Sequence, residues 1–259
     1  MAEVSIKKNG FIKFLGTAGA RFVMIEQLRA SGGIWVSYKG NNVLIDPGPG
    51  SIVRCANARP RLDPADLDAI MLTHKHLDHA NDINVMIEAM TEGGFRKRGV
   101  VFCPQDAVKG DSIILRYARN LPKKIEILRP GRKYAAGKFS FQTSMRHMHT
   151  AETYGFKFRL GKTTFGILTD TRYFKELENF YKVDVLIMSV VFLKPRPGID
   201  HLSLVDAREL IRAIKPRKAI LTHFGMSMLK AKPSLQAKIL SRDTRIEVEA
   251  AYDGKTIDL

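Results

Sequence analysis

Two β-sheets packed on one another and covered by helices form the α/β fold that this sequence predicts. Three observations carry that expectation. Short apolar runs of strand length fall into two successive groups, each interleaved with helical stretches. Lys39-Gly40-Asn41-Asn42 and Gly161-Lys162 join neighbouring runs as hairpins, one in each group. No linker or shift in composition divides the 259 residues, so residues 1–259 read as one domain with length for a substantial core.

In chain order, residues 11–15 are the first expected strand, ending at Gly16-Thr17-Ala18-Gly19, whose glycines suit a tight turn with close backbone approach. After Gly32-Gly33, residues 34–38 and 43–45 make the first hairpin, closed by Asp46 before Pro47-Gly48-Pro49-Gly50. Residues 69–72 are a short buried strand. Residues 80–90 then repeat apolar groups at helical spacing, with Ile83, Met86, Ile87 and Met90 on one face. Residues 99–102 are a strand and 112–120 a helix. Residues 139–144 are a strand running into Arg146-His147-Met148-His149. Residues 154–160 and 163–168 make the second hairpin, which ends at Thr169-Asp170-Thr171. A helix over 173–181 and a long buried strand over 183–191 follow. Ser203 and Asp206 have capping-box spacing, so a helix starts there and runs through Ile214 to Lys215-Pro216. A strand at 219–221 leads into Thr222-His223-Phe224-Gly225; a helix near 235–240 and strands at 246–250 and 255–259 complete the chain.

Composition bounds the function. Hydrophobic residues make up 45%, as in ordinary globular proteins, and no apolar run approaches the ~20 residues that span a membrane. Glu3, Lys7, Lys8 and Lys13 interrupt residues 1–15, so a signal-peptide core is lacking. Two cysteines, Cys55 and Cys103, do not make a disulfide framework, and a cytoplasmic location is expected. The net charge of +16 favours anionic partners: RNA, DNA or a small phosphodiester. The basic clusters Phe95-Arg96-Lys97-Arg98 and Arg129-Pro130-Gly131-Arg132-Lys133 sit at turn signals and are expected to be exposed.

The chemistry concentrates in Thr73-His74-Lys75-His76-Leu77-Asp78-His79. Three of the chain's seven histidines and one aspartate fall within six residues. Imidazole and carboxylate are the usual ligands of a divalent transition ion, and burying so many of them without one is costly. On a continued strand His74 and His76 would share a face and His79 would point away, whereas a loop frees all four side chains to turn inward. The remaining histidines, His147, His149, His201 and His223, each lie at the end of an expected element.

At these residues the sequence resembles the metallo-β-lactamase-fold superfamily, in its ribonuclease Z-like and phosphoribosyl cyclic phosphodiesterase-like branch. The resemblance implies an αββα sandwich of two mixed sheets flanked by helices, with a dinuclear metal site on one edge. It implies that His74, His76 and His149 hold one ion, that Asp78, His79 and His223 hold the other, and that Asp170 bridges them. The ions would be zinc, with manganese or iron as alternatives, and would lower the pKa of a shared water to ~7 or below. Asp46 would support a metal-binding histidine from behind, Asp78 would orient or deprotonate the water, and His201 would act on the phosphate or leaving group. His149 rather than His147 matches the third histidine motif. There is one departure. Enzymes of this branch that trim transfer RNA often carry a long arm between the third histidine and the bridging aspartate, whereas here 20 residues separate His149 from Asp170. The cyclic phosphodiesterases also lack the arm, so a smaller substrate stands beside nucleic acid. A thioester or lactone hydrolase resembling glyoxalase II is the alternative on the same fold; His201 and the positive charge favour the phosphodiesterase. A homodimer is left open.

Overall fold

The structure, a computed structural model, describes residues 10–19 and 21–259. Residues 1–9, which begin the N-terminal stretch read above, lie outside the described residues, as does Ala20. The first six strands are β1 (Gly10–Phe14), β2 (Ile34–Tyr38), β3 (Asn41–Ile45), β4 (Ala69–Met71), β5 (Val100–Cys103) and β6 (Lys124–Ile127). The other eight are β7 (Lys133–Ala136), β8 (Phe139–Arg146), β9 (Tyr154–Leu160), β10 (Thr163–Leu168), β11 (Val185–Ser189), β12 (Lys218–Thr222), β13 (Glu247–Ala250) and β14 (Thr256–Asp258). The helices are α1 (Phe22–Ile25), α2 (Ser51–Asn57), α3 (Leu77–Ala80), α4 (Ile83–Met90), α5 (Glu176–Phe180), α6 (Leu204–Ile214), α7 (Met226–Lys230) and α8 (Pro233–Thr244).

The strands form two seven-stranded sheets, ordered β14-β1-β2-β3-β4-β5-β6 and β13-β12-β11-β10-β9-β8-β7. Both are mixed. β3 to β6 run parallel after antiparallel β1 and β2, and β10 to β13 run parallel after antiparallel β8 and β9. Strand alternation sorts side chains between the layers. Ile12 and Phe14 of β1 meet Phe156 and Phe158 of β9 in the core between the sheets. The other face of the first sheet packs under Met86, Ile87 and Met90 of α4; that of the second packs under Leu210 and Ile211 of α6. Three apolar layers between four layers of structure make the expected αββα sandwich.

Several elements differ from the sequence reading. The expected helix at 80–90 is two helices: α3 starts at Leu77, and the chain bends before α4 at Asn81-Asp82. Asp82 accounts for the bend. Its amide donates to Pro47 O at 2.9 Å, and its carboxylate accepts from Ile52 N at 3.1 Å. Residues 112–120 form only one 3₁₀ turn, Ala118–Asn120. There, Asn84 takes the backbone groups a helix would use, donating to Ile113 O and accepting from Leu115 N, each at 2.9 Å. Sequence reading missed α1, α2, α7, β6 and β7; β7 opens inside the exposed basic cluster at Arg132-Lys133.

The capping box at Ser203 is formed: Asp206 N donates to Ser203 Oγ at 3.3 Å, and Ser203 N donates to Asp206 Oδ2 at 2.8 Å. Ser203→Ala should therefore cost about 1 kcal/mol of folding stability. Urea unfolding should show a lower midpoint with an unchanged slope; an unchanged midpoint would mean that the cap is not used.

Candidate metal centre

The site forms at one edge of the sandwich, where β3, β4, β8, β10 and β12 end. β4 delivers the histidine motif. His74 and His76 lie in the loop after it, while Asp78 and His79 fall in the first turn of α3 and not in a loop as expected. A carboxylate there also meets the positive end of the helix. The segment after β8 brings His149, the end of β10 brings Asp170, and the residue after β12 is His223. His223 has a left-handed backbone, φ 60°. The Gly16–Gly19 turn packs directly on it: a Cβ on Gly19 would lie 2.2 Å from His223 O.

Hydrogen bonds behind the imidazoles aim them. Asp46, itself at φ 55°, accepts from Thr73 N and Thr73 Oγ1, each at 2.7 Å, and from His79 Nδ1 at 2.9 Å. This network assigns the proton of His79 to Nδ1 and turns its Nε2 lone pair inward. With its own proton given to Asp46, the Thr73 hydroxyl accepts from His74 Nδ1 at 3.0 Å. His74 Nε2 is then a bare lone pair, fully buried and without a hydrogen-bond partner. His149 Nδ1 donates to Asp200 O at 3.1 Å, leaving its Nε2 3.0 Å from His76 Nδ1.

Two clusters of donor atoms result, His74, His76 and His149 in one, and Asp78, His79, Asp170 and His223 in the other. Asp170 Oδ2 lies between them. It is 3.9 Å from His74 Nε2, 3.5 Å from His79 Nε2, and 3.4 Å from both His223 Nε2 and His201 Nδ1. Asp78 Oδ2 is 3.4 Å from His223 Nε2 and 3.7 Å from His79 Nε2. These distances are long for hydrogen bonds. They suit ligands at ~2.1 Å from a shared tetrahedral ion, which stand about 3.4 Å apart. Asp170 Oδ1 and His201 Nδ1 are also buried without partners. Unsatisfied, convergent nitrogens and carboxylates are the chemistry of a divalent cation site, and the residues present fit one.

Charge follows position. Burial pushes His74 well below the usual histidine range, the neighbouring His79 adding to it, and burial lowers His76 and His149 as well. Neutral imidazoles are what a metal requires. Burial opposes the charged form of His79 and His223 too, but the carboxylates of Asp78 and Asp170 outweigh it. They hold His79 well above the usual range and His223 up to about 9. In turn the imidazoles of His79 and His223 overcome burial and keep Asp78 and Asp170 ionised.

His147 is set apart from both clusters. Its Nδ1 lies 3.3 Å from Asp170 O and its Nε2 2.9 Å from Tyr181 Oη, and burial lowers it to about 4. It braces the backbone of Asp170 from the core. Sequence reading missed this role and those of Thr73 and Tyr181, because nothing local marks a residue that acts through another's backbone. The rest of the expected set comes together as expected. His201 lines a cleft of about 540 Å³ with His76, Asp78, His149, Asp170 and Arg21. It also stands within ligand distance of His149 and Asp170, closer to the ions' place than the sequence reading put it.

Comparison with known proteins bears on this centre. The profile described as "Beta-lactamase superfamily domain" matches residues 41–224. An uncharacterised protein of Methanocaldococcus jannaschii, MJ1374, is 31% identical over 96% of this chain and 94% of its own. Ribonuclease Z of Thermoplasma acidophilum is 31% identical over 52% of this chain, which spans only 43% of that enzyme. Among solved structures, the metallo-beta-lactamase fold protein YhfI from Bacillus subtilis superposes with a TM-score of 0.77 at 18% identity, over 96% of this chain and 99% of its own. A diphosphatase from the PhnP family gives 0.70 at 18% identity, over 96% and 97%.

Protein loaded with zinc or manganese and freed of excess should hold close to two equivalents by elemental analysis. Each ion at one hundred times its dissociation constant should add about 2.7 kcal/mol of stability, lost on chelation. A saturating value of one equivalent would contradict a dinuclear centre.

Proposed function

The chain belongs to the beta-lactamase superfamily, in the branch that includes ribonuclease Z, and from that premise we propose that it is a dinuclear metal-dependent phosphodiesterase. The observation that carries this reading is the placement of Asp170 Oδ2 between two sets of inward-turned imidazole nitrogens at the floor of an open cleft. In this reading His74, His76 and His149 would hold one ion, Asp78, His79 and His223 would hold the other, and Asp170 would serve as a ligand between them. Divalent ions bound there supply electrophilic activation of water and of the phosphoryl group.

The chain's own residues do the rest. Asp46 and Thr73 hold His79 and His74 in the required tautomers. Asp78, at the cleft wall, orients the attacking water and accepts its proton. His201, which lines the same cleft with its Nδ1 3.4 Å from Asp170 Oδ2, delivers a proton to the leaving oxygen. The substrate is a nucleic acid strand or a smaller phosphodiester, in keeping with the net charge of +16 and with the ribonuclease Z and diphosphatase similarities. The buried free thiols Cys55 and Cys103 suit a reducing cytoplasm. Among the described residues no helix is long and apolar enough to cross a membrane.

Turnover of bis(p-nitrophenyl) phosphate, set against a thioester and a lactone with zinc or manganese present, tests the reading. Hydrolysis of the phosphodiester alone is expected; preference for the thioester or lactone would replace the reading with the glyoxalase II-like one. Asp78→Ala should abolish turnover with the fold intact, and near-full activity in that variant would remove Asp78 from the mechanism. His201→Ala should keep both ions and lose ~10²–10⁴ in rate, with a smaller loss for a p-nitrophenolate ester than for an alkyl one. An equal loss on both esters would leave His201 without a proton to give, and loss of an ion would make it a ligand.

A further inference from the structure

A second cavity, of about 250 Å³, lies outside the metal cleft, between β1, the end of α2 and the turn at Gly254. Lys13, Arg54 and Arg59 all line it, with Leu15, Asn57 and Ala58. No carboxylate among the described residues forms an ion pair with any of the three cations. Lys13 is an unusual member of a strand: it points to the helix-covered side of the first sheet and is 6% exposed. Its ammonium donates to Thr256 Oγ1 at 2.8 Å and to Arg59 O at 3.2 Å, which leaves its third N–H. Burial and the Arg54 guanidinium both lower its pKa.

Backbone carbonyls answer part of this charge. Arg54 Nε donates to Leu15 O at 2.8 Å, and Arg59 Nη1 donates to Ala58 O at 3.0 Å, at the negative end of α2. Carbonyl dipoles offset only a fraction of three full charges. Arg59 Nη1 also reaches Asn57 O at 3.5 Å; the Nη groups of Arg54 and the Nε and Nη2 groups of Arg59 have no acceptor among the described residues. A packed lysine facing the Arg54 guanidinium, with no acid beside it, is costly unless an anion joins them. The anion that suits paired guanidinium forks and one ammonium is a phosphoryl group.

We infer that this cavity binds a phosphoryl group through Lys13, Arg54 and Arg59. It is a site separate from the metal cleft and independent of the reaction catalysed there. The group comes either from a free phosphate-bearing small molecule or from the backbone of a nucleic acid strand.

The test is calorimetric titration of the metal-loaded protein with inorganic phosphate at constant ionic strength, repeated on Arg59→Gln and Arg54→Gln. Each variant should weaken one binding event by ~10-fold or more, the worth of a lost charge-assisted hydrogen bond. Metal content and bis(p-nitrophenyl) phosphate turnover should stay at the wild-type level, which separates this event from any phosphate bound at the metal cleft. Arg59 is exposed, so its replacement leaves folding untouched if Arg54→Gln does not. Identical isotherms in wild type and Arg59→Gln would overturn the proposal, as would a phosphate event abolished by chelation alone. Displacement of the bound phosphate by a short single-stranded RNA would identify the strand as its source; phosphate binding undisturbed by RNA would identify the free anion.

Discussion

One carboxylate oxygen, Asp170 Oδ2, stands 3.4–3.9 Å from four imidazole nitrogens at the edge of the sandwich. Such a crowd is not stable by itself. His74 Nε2 and His201 Nδ1 have no hydrogen-bond partner, and water is excluded from most of these nitrogens. Divalent cations held among these groups would satisfy the nitrogens of His74, His79 and His223 together with Asp170, and that requirement explains much of the surrounding architecture.

Holding the crowd together falls to residues that never face the cleft. Asp46 joins Thr73 and His79, so one carboxylate at the end of β3 sets the aim of two histidines from the neighbouring strand and helix. The parallel pairing of β3 with β4 makes this reach short, because both strands end at the same edge. In the second sheet, Tyr181 and His147 brace the carbonyl of Asp170, and the N-terminal turn at Gly19 locks the backbone of His223. The last of these crosses from the turn after β1 in the first sheet to the end of β12 in the second, and the sheets meet through an apolar core that leaves the edge free for polar chemistry. The same division places Lys13 on the helix-covered face of β1, where a charge stands out because the rest of that layer is apolar.

Much of the site was legible in the primary structure. The motif at 74–79 is dense and local, so spacing alone marks it as a metal-binding stretch. The second hairpin lies at 154–160 and 163–168 as expected, because apolar alternation and a Gly-Lys turn act over neighbouring residues. The helix expected at 112–120 failed for the opposite reason. Its backbone groups are captured by Asn84, 29 and 31 residues away, and a distant side chain leaves no mark on the local pattern. β6 is short and half-buried, and β7 follows a run of charges, so neither has the apolar length that flags a strand.

The sequence by itself determined which residue types are present for the chemistry, where the chain turns, and which faces of its strands and helices are apolar. These depend on side-chain identity and on contacts a few residues apart. Tertiary structure alone decided what His147 does: it braces Asp170 from the core, while His149, two residues on and already expected at the site, faces the cleft. It alone decided that Thr73 relays between Asp46 and His74, and that Lys13, Arg54 and Arg59 share one cavity. Those outcomes rest on atoms brought within a few ångströms from distant parts of the chain, 46 residues apart for Lys13 and Arg59 and 73 for His76 and His149, and only closure of the sheets and packing of the helices sets such distances.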